Sequence, residues 1–120
     1  MIHAVYDVTN CANPNPDLAD LMRAMRETVD RLGCTVLGEL PVTFQPHGTT
    51  CVLVLAESHL VVSTWPEHQL AHIDLVTCRA DTDPEHAIKP ILAALRTGAV
   101  HGQRIHRTSG RPMTTSQSVA

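Results

Sequence analysis

Aromatic side chains are the scarcest class in this chain of 120 residues, which holds one Phe, one Tyr and one Trp. Its hydrophobic share is nevertheless 43% and its charged share 18%, values that fit one globular domain and leave no room for two. We therefore expect a core built from Leu, Val, Ile, Ala and Met. Each aromatic ring is an exception that needs a local reason.

The chain also lacks a concentration of positive charge. Its nine Lys and Arg are scattered along the sequence, and the formal net charge is −3 with His neutral. Proteins that bind nucleic acids usually carry a basic stripe, often with stacking aromatic residues. We therefore expect no nucleic-acid partner.

Long apolar runs are missing as well. The longest, at 52–56, is far shorter than the segment that a bilayer-spanning helix requires. The first residues show neither the basic nor the apolar part of a secretory signal. The sequence predicts a cytoplasmic protein with no membrane partner.

Paired cysteine motifs are absent too. Cys11, Cys34, Cys51 and Cys78 are widely spaced, and the sequence contains no C-x-x-C. In a reducing compartment such cysteines are typical of free thiols rather than of disulfides or a zinc site. We expect four free thiols and no bound metal.

Two helices are indicated by cap signals and apolar spacing. Asn15 and Pro16 provide a cap followed by a first-turn proline, and Gly33 stands where a helix C-terminus favours glycine. Between them, apolar residues recur at spacings of three and four. Asp83 opens a second helix in the same way, and Pro90 should kink that helix or delay its start.

The remaining apolar segments are typical of strands. Alternating or β-rich stretches lie at 2–7, 34–40, 50–56, 60–64, 70–78 and 99–105. The order predicts an α+β domain over 1–106, with an antiparallel sheet and two helices packed on one face. A partner subunit would cover the second face, which predicts a dimer. Residues 107–120 are polar and predict a flexible tail.

Residue chemistry alone leaves several alternatives open for the reactive side chains. Ser58 and His59 fit an ordinary polar turn between two strands. A serine hydrolase fits poorly, because the G-x-S-x-G motif is missing. A metal site built from His68, His72 and Asp74 is a weak alternative, because eight His in 120 residues produce such spacings by chance.

Several motifs, in a consistent order over 3–106, resemble the prokaryotic S-adenosylmethionine decarboxylase proenzyme family. They are Phe-Gln-Pro-His-Gly at 44–48, Glu-Ser-His at 57–59, Thr-Trp-Pro-Glu at 64–67 and Asp-Leu-Val-Thr-Cys at 74–78, with further similarity at 33–39 and 81–84. The resemblance implies a chain that makes its own pyruvoyl cofactor. Ser58 attacks the carbonyl of Glu57, an ester forms, and elimination divides the chain between 57 and 58.

The resemblance also implies roles in decarboxylation. The pyruvoyl group forms a Schiff base with S-adenosylmethionine and accepts the electrons released with CO₂. Cys78 matches the residue that returns the proton, Phe44 the residue that stacks on adenine, and Glu67 the residue that binds the ribose hydroxyls. Thr50 stands where the family usually has a Ser that assists processing.

One position departs from the family pattern. Ser63 stands where the family has a His assigned to self-processing, and a Ser lacks comparable basicity near neutral pH. His3, His47 and His59 are candidates to replace that imidazole. Arg79 follows Cys78 where the family often has Gly, so it can crowd the turn or alter the charge near the substrate.

Three functions follow from the resemblance and its exception. The first is decarboxylation of S-adenosylmethionine, which supplies aminopropyl groups for spermidine, in a homodimer with active sites near the subunit contact. The second is a diverged decarboxylase of arginine or ornithine. The third is an unprocessed homologue that binds a ligand or regulates an active paralogue.

Overall fold

Six antiparallel strands form one sheet in the computed structural model, which describes residues 1–79 and 81–107. The strands are β1 (Ile2–Thr9), β2 (Val36–Thr43), β3 (Thr49–Leu55), β4 (Ser58–Trp65), β5 (Leu70–Thr77) and β6 (Ala99–His106). They lie side by side in the order β2-β3-β4-β5-β1-β6. The predicted antiparallel α+β fold is confirmed, whereas the predicted tail lies, beyond Arg107, outside the described residues.

Three helices pack on one face of this sheet, rather than the two that the sequence predicts. They are α1 (Leu18–Leu32), α2 (Pro84–Ala87) and α3 (Lys89–Leu95), and a short 3-10 turn, Pro66–His68, joins β4 to β5. Pro90 explains the division, because a residue without an N–H is tolerated only in the first turn of a new helix. None of the described helices has the length and apolarity needed to cross a membrane.

The ends of α1 follow from its capping residues. The N-cap is Asp17, whose carboxylate accepts a hydrogen bond of 2.8 Å from the N–H of Ala19, so the expectation that Asn15 caps the helix is wrong. The predicted stop at Gly33 is confirmed. Gly33 has a φ of 69°, a left-handed conformation that glycine adopts without a Cβ penalty.

The core lies between the helices and the sheet face that they cover. Alternate residues of the four central strands, β1, β3, β4 and β5, point toward it, as the two-residue period of a strand requires. The largest contributors are aliphatic, as predicted, and Tyr6 is the one buried aromatic residue. Fully buried side chains include Val8, Leu21, Met25, Val29, Leu53, Leu55, Leu60, Ile73, Leu75, Ile88, Ile91 and Leu95.

The second face of the sheet carries no helix among the residues that the structure describes. Apolar and polar side chains alternate across this uncovered face. Leu40 is 59% exposed and Val54 is 48% exposed. The members of the face, from β2 to β6, include Leu40, Val42, Thr50, Val52, Val54, His59, Val61, Ser63, His72, Asp74, His3, Val5, Asp7 and Ile105.

The packing of the Tyr6 ring against β6 can be tested by mutation. The strand partner of Tyr6 is Gly102, and a Cβ added there would lie 2.7 Å from two carbons of the Tyr6 ring. Gly102→Ala should therefore lower the free energy of unfolding by about 1–3 kcal/mol, measured by urea denaturation. Gly38→Ala is the matched control, since a Cβ at Gly38 meets no atom within 4 Å. Equal losses in the two variants would contradict this account.

Candidate active site

The Glu57–Ser58 junction lies at the tight turn between β3 and β4. Leu55 pairs with Ser58, so Ala56 and Glu57 alone form the turn. The expectation that Ser58 and His59 occupy the turn is wrong, because both belong to β4. Glu57 has a φ of 65°, a left-handed conformation that costs a non-glycine residue on the order of 1 kcal/mol or more. The peptide bond between Glu57 and Ser58 therefore follows a residue in a strained conformation.

Cys78 contacts this junction from the end of β5. Its thiol donates a hydrogen bond of 3.2 Å to the carbonyl oxygen of Glu57. The contact exists because β5 pairs with β4 and ends beside the β3–β4 turn. A donor on a carbonyl oxygen stabilises the negative charge that develops there during nucleophilic attack.

A cavity of about 210 Å³ opens at the same place. Its lining includes Glu57, Ser58, Cys78 and Arg79. The Arg79 guanidinium donates a hydrogen bond of 2.9 Å to the carbonyl oxygen of Gly33, at the C-terminus of α1. A cation is favourable at that end of a helix, so Arg79 joins the helix to the cavity wall.

Thr50 and Ser63 form a second group on the uncovered face. They are partners in the β3–β4 register, and their hydroxyl oxygens lie 3.1 Å apart in a hydrogen bond. The position at which the family is expected to carry an imidazole therefore holds a pair of hydroxyl groups. Neither group is basic enough to accept a proton near neutral pH.

Phe44 and Glu67 lie near this second group, beyond the ends of β2 and β4. Phe44 is 51% exposed, and its N–H donates to the carbonyl of Gly48 across the β2–β3 loop. A carboxylate oxygen of Glu67 lies 2.7 Å from Nε2 of His47. A cavity of about 230 Å³ is lined by Phe44 and His47, among others. An exposed ring and a nearby carboxylate suit a flat polar ligand.

The predicted site residues thus fall into two clusters at opposite ends of β4. We call Glu57, Ser58 and Cys78 the junction cluster, and Phe44, Thr50, Ser63 and Glu67 the distal cluster. Ser58 and Ser63 are five residues apart on one strand, a separation of about 16 Å. The structure brings the members of each cluster together but does not bring the clusters together within one chain.

Comparisons with known proteins identify the family. The sequence profile of the S-adenosylmethionine decarboxylase family matches residues 2–108. The chain belongs to this family. The S-adenosylmethionine decarboxylase proenzyme of Symbiobacterium thermophilum is 43% identical over 94 residues, covering 78% of this chain and 71% of that protein. The proenzyme of Thermotoga maritima is 35% identical over 100 residues, covering 82% and 77%.

A solved structure supports the same conclusion for the fold. The crystal structure of the adenosylmethionine decarboxylase from Aquifex aeolicus superposes with a TM-score of 0.78 and 26% sequence identity. The match covers 95% of each chain. The resemblance drawn from the sequence motifs is therefore confirmed at the level of family and fold.

Sequence reasoning about this decarboxylase-family chain missed the surroundings of His72. His72 is the register partner of Ser63 on β5, and its Nδ1 accepts a hydrogen bond of 3.2 Å from the indole N–H of Trp65. On its other side, Nε2 lies 3.7 Å from a carboxylate oxygen of Asp7. From the sequence alone, His72 was considered only as a metal ligand. Its neighbours are set by the register between strands, which the spacing of residues along the chain does not reveal.

The other histidines weighed as replacements lie elsewhere. His3 and His59 both neighbour Val76, toward the junction end of the uncovered face. His47 is paired with Glu67. Within the described ranges 1–79 and 81–107, no group of three or more His, Cys, Asp or Glu is arranged to hold a metal ion. All four cysteines are free thiols.

The His47–Glu67 pair predicts a measurable titration. The N–H of the Glu67 backbone and the His47 imidazole both lower the pKa of the Glu67 carboxyl. The signal of this carboxyl in a carbon-detected NMR titration should therefore move at lower pH than that of an ordinary Glu. In His47→Ala the pKa should rise only part of the way, since the backbone N–H remains. An unchanged pKa in His47→Ala would show that the pair contributes nothing.

Proposed function

We propose that this protein is a pyruvoyl-dependent decarboxylase of S-adenosylmethionine that supplies aminopropyl groups for spermidine synthesis. It forms its cofactor by cleaving itself between Glu57 and Ser58. Family membership supports the reaction class. The observation that carries the proposal for this chain is the Cys78 thiol hydrogen-bonded to the carbonyl of a strained Glu57, next to the Ser58 hydroxyl.

Self-cleavage begins with attack of Ser58 Oγ on the carbonyl carbon of Glu57. The new C–O bond forms, the C–N bond breaks, and the hydroxyl proton passes to the released amine. The Cys78 thiol stabilises the oxyanion during this step. The left-handed conformation of Glu57 favours the shift, because breaking the peptide bond releases its strain.

Elimination then divides the chain. A base removes the Cα proton of residue 58, the bond between Cβ and the ester oxygen breaks, and Glu57 leaves as a carboxylate. Water converts the resulting enamine, through its imine, into a ketone and ammonia. The products are residues 1–57 and a second fragment that begins with the pyruvoyl group.

The pyruvoyl carbonyl supplies an electron sink for the departing carboxyl group. The side chains of this chain bind and orient the substrate around it. Phe44 presents an exposed ring for stacking on adenine, and Glu67 presents a carboxylate for the ribose hydroxyls. Cys78, already at the junction, returns the proton to the decarboxylated carbon.

A homodimer explains why the two clusters are separate. We infer that two chains pack through their uncovered faces around a twofold axis, so that the two ends of β4 meet in opposite directions. Such an isologous contact brings the end of β4 that carries the junction cluster in one chain against the end that carries the distal cluster in the other. The apolar members of this face, Leu40, Val54 and Ile105 among them, are exposed in a single chain, which favours a covered state.

Intact mass spectrometry tests the cleavage. The purified protein should give two fragments divided between Glu57 and Ser58, and hydroxylamine should trap the pyruvoyl end of the second. Ser58→Ala should stay full length, because it lacks the attacking hydroxyl. A wild-type chain that remains whole after long incubation would overturn the proposal and favour an unprocessed homologue.

Release of labelled CO₂ tests the substrate. Carboxyl-labelled S-adenosylmethionine should release CO₂, whereas labelled arginine and ornithine should not, since neither has an adenine to stack on Phe44 or ribose hydroxyls to donate to Glu67. Cys78→Ala, once processed, should lose about 10²–10⁴-fold in rate through loss of its proton donor. Preference for arginine or ornithine would assign a diverged decarboxylase instead.

Sedimentation tests the dimer. Val61→Glu puts a charge at the centre of the uncovered face and should give a monomer that neither cleaves efficiently nor releases CO₂. Ala19→Glu adds the same charge at an exposed position on α1, and should remain a dimer. A Val61→Glu dimer with full activity would show that another surface joins the chains.

A further inference from the structure

We propose that His72 supplies the imidazole that the family carries at position 63, acting on the Glu57–Ser58 junction of the partner chain. The proposal rests on the function and the dimer proposed above. Its first support is the register, which puts His72 directly opposite Ser63 on the neighbouring strand. Cβ atoms of such partners lie about 5 Å apart, so an imidazole on β5 serves nearly the same place as one on β4.

The row of side chains around Ser63 supports His72 over the other histidines. Thr50, Ser63, His72 and Asp7 are successive partners across β3, β4, β5 and β1, all on the uncovered face. His3 and His59, the other two histidines on these strands, belong to the opposite end of that face, as their pairing with Val76 shows. His101 ends the same row as the partner of Asp7 on β6, and His47 is paired with Glu67, so His72 is the histidine directly beside Ser63.

The contacts of His72 also fix which ring nitrogen is available. The indole N–H of Trp65 donates to Nδ1, so the proton of the neutral ring is on Nε2. Nε2 lies 3.7 Å from Asp7, too far for a good hydrogen bond, and the side chain is 42% exposed. His72 therefore presents an oriented N–H donor to whatever covers this face.

An N–H donor suits the first step of self-cleavage. When Ser58 Oγ attacks, the negative charge gathers on the Glu57 carbonyl oxygen, which the Cys78 thiol already contacts. Nε2–H from the partner chain is a second donor to the same oxygen. The donor forms no covalent bond and gives up no proton, so the balance of the acyl shift is unchanged. Removing one such donor costs about 10²–10³-fold in rate.

A cleavage time course followed by intact mass spectrometry tests the proposal in full-length protein. His72→Ala should cleave about 10²-fold or more slowly than the wild type. His72→Gln should retain part of the rate, because its amide presents an N–H close to the position of Nε2. His86→Ala is the control, because it removes an exposed imidazole from α2, on the side of the sheet away from the uncovered face, and it should cleave at the wild-type rate.

Two further combinations separate chemistry from folding. Ser63→His added to His72→Ala should restore cleavage, because it returns the imidazole to the same row. Mixing His72→Ala chains with uncleavable Ser58→Ala chains should accelerate cleavage of the former, since an intact His72 then faces their junction. A purely structural role for His72 predicts neither effect, and thermal unfolding should show the variants equally folded.

The outcomes distinguish this inference from the function on which it rests. If the wild-type chain never cleaves, the proposed function itself is overturned. A wild-type chain that cleaves, with His72→Ala cleaving equally fast, overturns the role of His72 alone. Failure of both Ser63→His rescue and mixing to accelerate His72→Ala also overturns it.

Discussion

The register of β4 between β3 and β5 is the constraint on which the rest of the site depends. Pairing of Leu55 with Ser58 reduces the first connection to two residues and forces Glu57 into a left-handed conformation. The β4–β5 pairing then brings the Cys78 thiol to that same carbonyl. A slip of one residue would move every β4 side chain to the opposite face, so core packing and reactive geometry are specified together.

Alternation along β4 also gives the two faces of the sheet different roles. Leu60 and Val62 are fully buried beneath the helices, whereas Val61 and Ser63 face the side that no described helix covers. The buried residues supply the stability that tolerates a strained turn at Glu57. The uncovered residues remain available for a second chain.

Local patterns were sufficient to predict most of the fold but little of the site geometry. The α1 stop at Gly33 and the division at Pro90 follow from the backbone chemistry of single residues, and the strands follow from alternation. The cap was misplaced on Asn15 because Asp17 competes for the same role two residues later. The motif at 57–59 identified the junction, but its left-handed turn and its thiol contact depend on pairings between distant segments, which spacing along the chain does not encode.

The exposed Trp65 gives the scarcity of aromatic residues a functional meaning. Tyr6 alone is buried in the core, whereas Phe44 and Trp65 keep about half of their surface exposed, at a cost in solvation that a purely structural role does not explain. Trp65 uses its N–H to orient His72, and Phe44 lines a cavity together with His47, which is paired with Glu67. Both rings thus belong to the distal cluster and its surroundings. In a chain with an aliphatic core, two of the three aromatic residues are thus exposed in or beside the distal cluster rather than packed in the core.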